Sequence, residues 1–272
     1  MRVLTPAWSG AKLRRHDVAA AMMLEWRLFW RRRRLRAPVV LAALPVLLAI
    51  LVAMLKTIDF GWLDPVLPRG VDIVPLFFVG FVRVLLVVLP LLLGAGLVAR
   101  EVETGTLSYL LVRPLSRGSL LLGKALGAWL ICSILLGVSW IGAALLLLAA
   151  DGFDSAGATL LQIPSYLLTL VVGAFAYGAL FTLVGLISRR PGLIGIFLAF
   201  GWESAIPFLP GLIRNFTVRF HLAALAPDTG LPLVALGTLA VPSIPTALLW
   251  LSGGSCLALA ASILVFAHRD YP

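Results

Sequence analysis

Long apolar runs separated by short polar loops dominate the chain from about residue 38 to residue 267. A helix crosses the hydrocarbon core with about 20 apolar residues. On that measure six spans are predicted: Pro38 to Leu55, Pro75 to Ala99, Leu121 to Ala150, Leu160 to Ile187, Gly192 to about Leu212, and Pro245 to Ala267. Pro45 and Pro90 interrupt the first two and predict kinks there. The expected fold is an all-α integral membrane protein with a single domain over 1–272: a leader at 1–37, six spans within 38–267 and a tail at 268–272.

Composition narrows the class further. Hydrophobic residues make up 61% and charged residues 12%. That is too apolar for a water-soluble globule or a disordered chain. The net charge of +10 would suggest nucleic acid in a soluble protein, but ten of the 22 Lys and Arg precede residue 38. Such a distribution reads as membrane orientation and contact with anionic lipid, with no nucleic-acid partner. The leader, the loops after the second and fourth spans and the tail hold 17 Lys and Arg; the alternate loops hold Lys56, Arg69, Arg214 and Arg219. The positive-inside rule then predicts both termini in the cytoplasm. No small-residue cleavage site follows the 38–55 run, so an uncleaved first span is expected.

The leader has its own pattern. Asp17 is a predicted N-cap and Pro38 a stop. Met22, Trp26 and Phe29 share one helical face with Trp30 near its edge, and Arg27, Arg31 and Arg34 fall opposite. This describes a helix lying in the membrane interface. Arg33 and Arg36 break the pattern and are expected to snorkel or to mark a bend.

The loop after the second span is the most informative stretch. Gly105 can end one helix and Thr106 cap the next. Leu107, Leu110 and Leu111 fall at i, i+3, i+4 and form one apolar ridge. Pro114 forces Arg113 out of helical geometry, and Ser116 can cap the run into the third span. A short amphipathic helix of this kind either docks in a partner's groove or lies on the bilayer.

These residues also carry a resemblance. Glu101-x-Glu103, Thr104-Gly105-Thr106-Leu107, Leu110-Leu111, Arg113-Pro114-Leu115-Ser116-Arg117, Gly123-Lys124 and the Trp202-Glu203 pair resemble the ABC type-2 permease family, the membrane subunits of ATP-binding-cassette exporters. The resemblance implies that the 100–117 loop is the coupling helix that docks on the ATPase and that the leader is the interfacial elbow helix. It further implies a second permease subunit, same or related, in the cell (inner) membrane. ATP and Mg would sit on a separate ATPase subunit, with no cofactor on this chain. The expected activity is export driven by that ATPase. The apolar spans favour a lipid-like, hydrophobic or peptide cargo.

One motif misleads. Gly118 to Ala125 fits G-x-x-x-x-G-K, but Ala125 replaces the required Ser or Thr and no strand precedes it. No nucleotide site is expected there. The longest cytoplasmic stretch, the leader, is also too short for an ATPase domain.

Arg83 and Glu203 lie inside predicted spans, where ionisable groups are costly and functional by default. They sit about 22 and about 17 Å from the cytoplasmic ends of their helices at 1.5 Å per residue, which leaves two readings open: a pair, within one subunit or across a dimer interface, or two independent charges that each snorkel or face a cavity. The region 213–244 is expected to form short re-entrant or interfacial helices on the outer side. A competing reading is an intramembrane serine protease, with Ser252-Gly253-Gly254-Ser255 as a nucleophile turn and His221 or His268 as base. Helix packing through small residues is the preferred reading of that segment, because His268 lies about 20 Å from Ser255 along a helix. The three histidines, with His16, form no metal-binding spacing, and no catalytic or metal site is expected.

Overall fold

The computed structural model describes residues 15–31, 36–57, 73–97, 116–150, 156–188, 190–206, 212–226 and 242–268. Among these residues every regular element is helical. The coupling-loop residues Glu101, Glu103, Gly105, Thr106, Leu107, Leu110, Leu111, Arg113 and Pro114 lie outside them, as do Arg33, Arg34 and the outer segment 227–241.

The leader helix α1 runs Arg15–Arg31. It is followed by α2 (Arg36–Thr57), α3 (Val74–Gly94), α4 (Arg117–Ala150) and α5 (Ala156–Ile187). These helices continue through Pro45, Pro90 and Pro164. Asp17 lies in the first turn of α1 instead of capping it, where its charge suits the helix dipole. Ser116 does cap α4: its hydroxyl accepts the Ser119 amide at 3.2 Å.

After α5 the expected fifth span departs from a regular helix. Short α6 (Pro191–Ile196) passes into a π-helical segment, Phe197–Trp202, and then into the one-turn α7 (Glu203–Ala205). These 15 residues rise about 22 Å, short of the roughly 30 Å of hydrocarbon. Residues 207–211 of the span expected over 192–212 lie outside the described residues, and within 191–206 the segment is not a regular α-helix. The cause lies in the sequence: a charge at Glu203 must find a partner, and Pro207 and Pro210 follow at once. A 3₁₀ turn (Leu212–Phe216), α8 (Val218–Leu225) and the long α9 (Ile244–His268) complete the chain. Five helices are long and apolar enough to cross a membrane: Arg36–Lys56, Val74–Gly94, Arg117–Ala150, Thr159–Ile187 and Ile244–His268.

The core sits where α3, α4 and α5 meet. Phe78, Trp140 and Tyr166 are fully buried there, with ring centroids 4.4 to 5.0 Å apart in edge and tilted geometries. Lipid gives helices no hydrophobic reason to associate, so close packing has to supply it. Small residues provide the approach: a Cβ on Gly185 would lie 2.6 Å from the Ala95 carbonyl oxygen, and one on Gly94 3.1 Å from that of Gly178. Gly195 likewise leaves room for Leu91, which brings α6 onto α3. α2 flanks this core along α4, and α9 flanks it along α5.

Candidate functional site

Two buried charged clusters stand out, one at each end of the helical body. The first is built where α1, α3 and α4 converge. Successive inward positions of α1 are Val18, Ala21, Met22, Glu25, Leu28 and Phe29, a helical stripe laid along α4. Gly123 and Gly127 on α4 make that contact possible. A Cβ at Gly123 would meet the Val18 carbonyl oxygen at 2.5 Å, and one at Gly127 would meet Glu25 Cβ at 3.1 Å. Between these glycines Lys124 is buried, with 2% of its side chain exposed, and its Nζ lies 3.5 Å from Glu25 Oε2. The same ammonium donates to the Leu97 carbonyl at 3.4 Å, just beyond the end of α3.

One lysine thus holds the leader helix to both helices that flank residues 98–115. The residues that mimicked a phosphate loop are helical, with the glycine serving close packing and the lysine an ion pair. The sequence marked Lys124 only as part of the family motif and of a false phosphate loop, and did not single out Glu25. The available signal was a lone acid on the inward stripe of an amphipathic helix and the Gly123-x-x-x-Gly127 spacing.

The interfacial residues divide between two surfaces. Phe29 is buried and Met22 half-buried toward α4, whereas Trp26 and Trp30 are exposed and touch each other at 6.1 Å. The single apolar face expected of α1 is therefore two adjacent faces, one for protein and one for the surroundings. Arg27 and Arg36 are exposed.

The second cluster surrounds Glu203, which is 3% exposed. Its Oε1 accepts the Val218 amide at 2.9 Å and its Oε2 the Arg219 amide at 3.1 Å. Those are orphan donors of the first turn of α8, which has no side-chain cap of its own. A carboxylate also complements the positive end of the helix dipole. The Arg219 and Tyr177 side chains lie within electrostatic reach of the same carboxylate. The Tyr177 hydroxyl makes no hydrogen bond of normal geometry there. Arg83 is on the exposed side of α3. The reading of an Arg83–Glu203 pair within one subunit is thus corrected: within the chain the carboxylate is occupied by α8. Equal depth along two helices did not place the side chains on facing sides.

The serine and histidine groups of the protease reading are committed elsewhere. Ser252 and Ser255 donate to the Leu248 and Leu251 carbonyls at 2.6 and 2.5 Å. His268 Nδ1 lies 2.9 Å from the Leu264 carbonyl. His221 Nε2 donates to the Asn215 carbonyl at 2.9 Å, and burial holds the imidazole below its ordinary range.

A bundle of long apolar helices, latched by a buried lysine to an amphipathic leader, defines a multi-pass membrane protein. The profile of the ABC-2 family transporter proteins matches residues 19–270, and the chain belongs to that family. A comparison with curated proteins gave no match. The chain is therefore an ABC-transporter membrane protein, and family membership favours transport over the intramembrane enzyme.

Proposed function

We propose that the chain is the permease subunit of an ATP-binding-cassette exporter in the cell (inner) membrane. A separate ATPase subunit binds ATP and Mg, hydrolyses the ATP and docks on the 100–117 loop. The Leu107, Leu110 and Leu111 ridge enters an apolar groove, with Glu101, Glu103, Thr106 and Arg113 around it. Gly105 and Pro114 bound the docking helix. A second permease subunit completes the pathway, and lipids cover the exposed apolar flanks.

The family match over residues 19–270 is the observation that carries this reading. Three further features support it. Arg117 Nη1 donates to the Ala267 carbonyl at 3.2 Å, which sets the end of α9 beside the start of α4 and α1. The leader, the 98–116 loop and the tail then share one face, and the positive-inside rule makes that face cytoplasmic. On this reading the chain between α5 and α9 crosses to the opposite face, for six crossings in all. Finally, Lys124 ties the two ends of the docking loop to α1, so a push on the loop reaches three helices together.

The test is copurification from native membranes. Tagged permease should bring down an ATPase, and Leu107→Asp with Leu110→Asp should abolish this while the permease still inserts. Burying two carboxylates in an apolar groove costs several kcal/mol. Undiminished recovery of the ATPase with the double variant would place the contact elsewhere.

A further inference from the structure

A cavity of about 370 Å³ opens between α5, the π segment, α8 and α9. Its size lies in the range of ordinary ligand sites, roughly 300–1,000 Å³. Polar groups are present in its wall, and most of them are already used; the Tyr177 hydroxyl and the His221 Nδ1 are buried without a hydrogen-bond partner. The Glu203 carboxylate holds two α8 amides. The Thr217 hydroxyl donates to the Arg214 carbonyl at 2.8 Å, and that of Ser255 to Leu251. His221 is bonded to Asn215 and its ring is stacked on Trp250, centroids 5.7 Å apart at 13°. What remains for an occupant is mostly apolar surface, such as Leu180, Phe181 and Leu198.

That excludes most guests. A charged or strongly polar molecule would lose its hydration without replacement bonds. Each water needs two to four polar partners, and the buried wall atoms still without one are only the Tyr177 hydroxyl and the His221 Nδ1, too few to fill the cavity with water. An empty slot forfeits dispersion contacts along its whole lining. The mouth selects among apolar guests. Phe216 and Leu257 belong to the wall yet are 68% and 73% exposed, continuous with the exposed apolar flank of α9 at Leu249 and Leu264. Whatever covers that flank in a membrane also meets the opening.

We propose that this cavity is a binding site for one hydrocarbon chain, the acyl tail of a bilayer lipid, entering between α9 and the π segment. The tail lies against Trp250 and Phe181 and passes over Gly254. A Cβ on Gly254 would meet nothing within 4 Å, so this glycine leaves the slot open. Gly253 is equally unhindered but lies outside the wall, and it serves as the matched control. The site needs only the membrane setting and stands apart from the coupling reading, because its test uses the permease chain without an ATPase.

The experiment places the full chain in phosphatidylcholine vesicles containing a trace of phosphatidylcholine with a diazirine in mid-chain. After irradiation, labelled peptides are mapped by mass spectrometry. Labelling should concentrate in 198–202 and 250–258, above that of the equally exposed α2. It should fall about tenfold in Gly254→Leu, which fills the slot, and stay unchanged in Gly253→Leu. Gly254→Ala, the gentler change, should give an intermediate loss, and all three variants should elute as the wild type does on gel filtration. Even labelling of α2 and α9 would overturn the proposal, as would equal labelling of the Leu variants. Labelling of 250–258 by a free aryl diazirine but not by the lipid-borne one would assign the slot to a small apolar solute and overturn the acyl-tail assignment.

Discussion

Lys124 shows how much one side chain can organise in a low-dielectric setting. Its ammonium is buried, so removal of either partner strands a charge. Breaking a buried pair in this way typically costs about 3–5 kcal/mol, whereas replacing both partners by apolar residues is often neutral or stabilising. Lys124→Met should therefore lower thermal stability in detergent sharply, and Glu25→Met less so, because Glu25 keeps 14% of its side chain exposed. The double Met variant should recover most of the loss. Coupling below about 0.5 kcal/mol in that cycle would mean the two charges act separately. The sequence concealed this pair for a definite reason. Glu25 belongs to no motif, and Lys124 stands in the family motif and in a false phosphate loop. Only the helical phase of Val18, Ala21, Met22 and Glu25, set against Gly123 and Gly127, brings them together.

At the scale of elements, the fifth segment is where sequence patterning and structure part. Length and hydropathy were enough for α2, α3, α4, α5 and α9, because an apolar run of sufficient length has few alternatives to a spanning helix. The same criterion read 192–212 as one helix. It could not register that Glu203 reaches 15 residues forward to cap α8, an interaction with no local pattern. The start of α8 depends on that carboxylate. Glu203→Ala would leave the Val218 and Arg219 amides without their acceptor, at a cost of about 1–3 kcal/mol each when buried. Glu203→Gln keeps one acceptor oxygen and loses the charge, so it should fall between wild type and Ala. Melting temperatures in detergent, with protease sensitivity near 212–226 as a local readout, check the order. If Ala and Gln are equally stable, the cap is not what holds α8.

At the scale of the molecule, the fold reads as a transmission. The leader helix, the residues just after α3, the start of α4 and the end of α9 gather on one face, joined by Lys124 and Arg117. The opposite half carries the broken fifth segment, α8 and the apolar slot. The family and the helical class were legible in the 100–124 motif and the hydropathy alone, since both are properties of local sequence. The residues that tie the parts together were not, since each acts across helices distant in the chain. The central claim is that the 100–117 loop contacts a separate ATPase from the cytoplasmic face. Site-specific photo-cross-linking in intact cells tests it most directly, with a benzophenone amino acid at Leu107, Leu110 or Leu111 and a control at Phe153 in the opposite loop. The account predicts an adduct with an ATPase from the leucine positions and none from Phe153. An ATPase adduct at Phe153, or none at any of the three leucines in a folded permease, would contradict it.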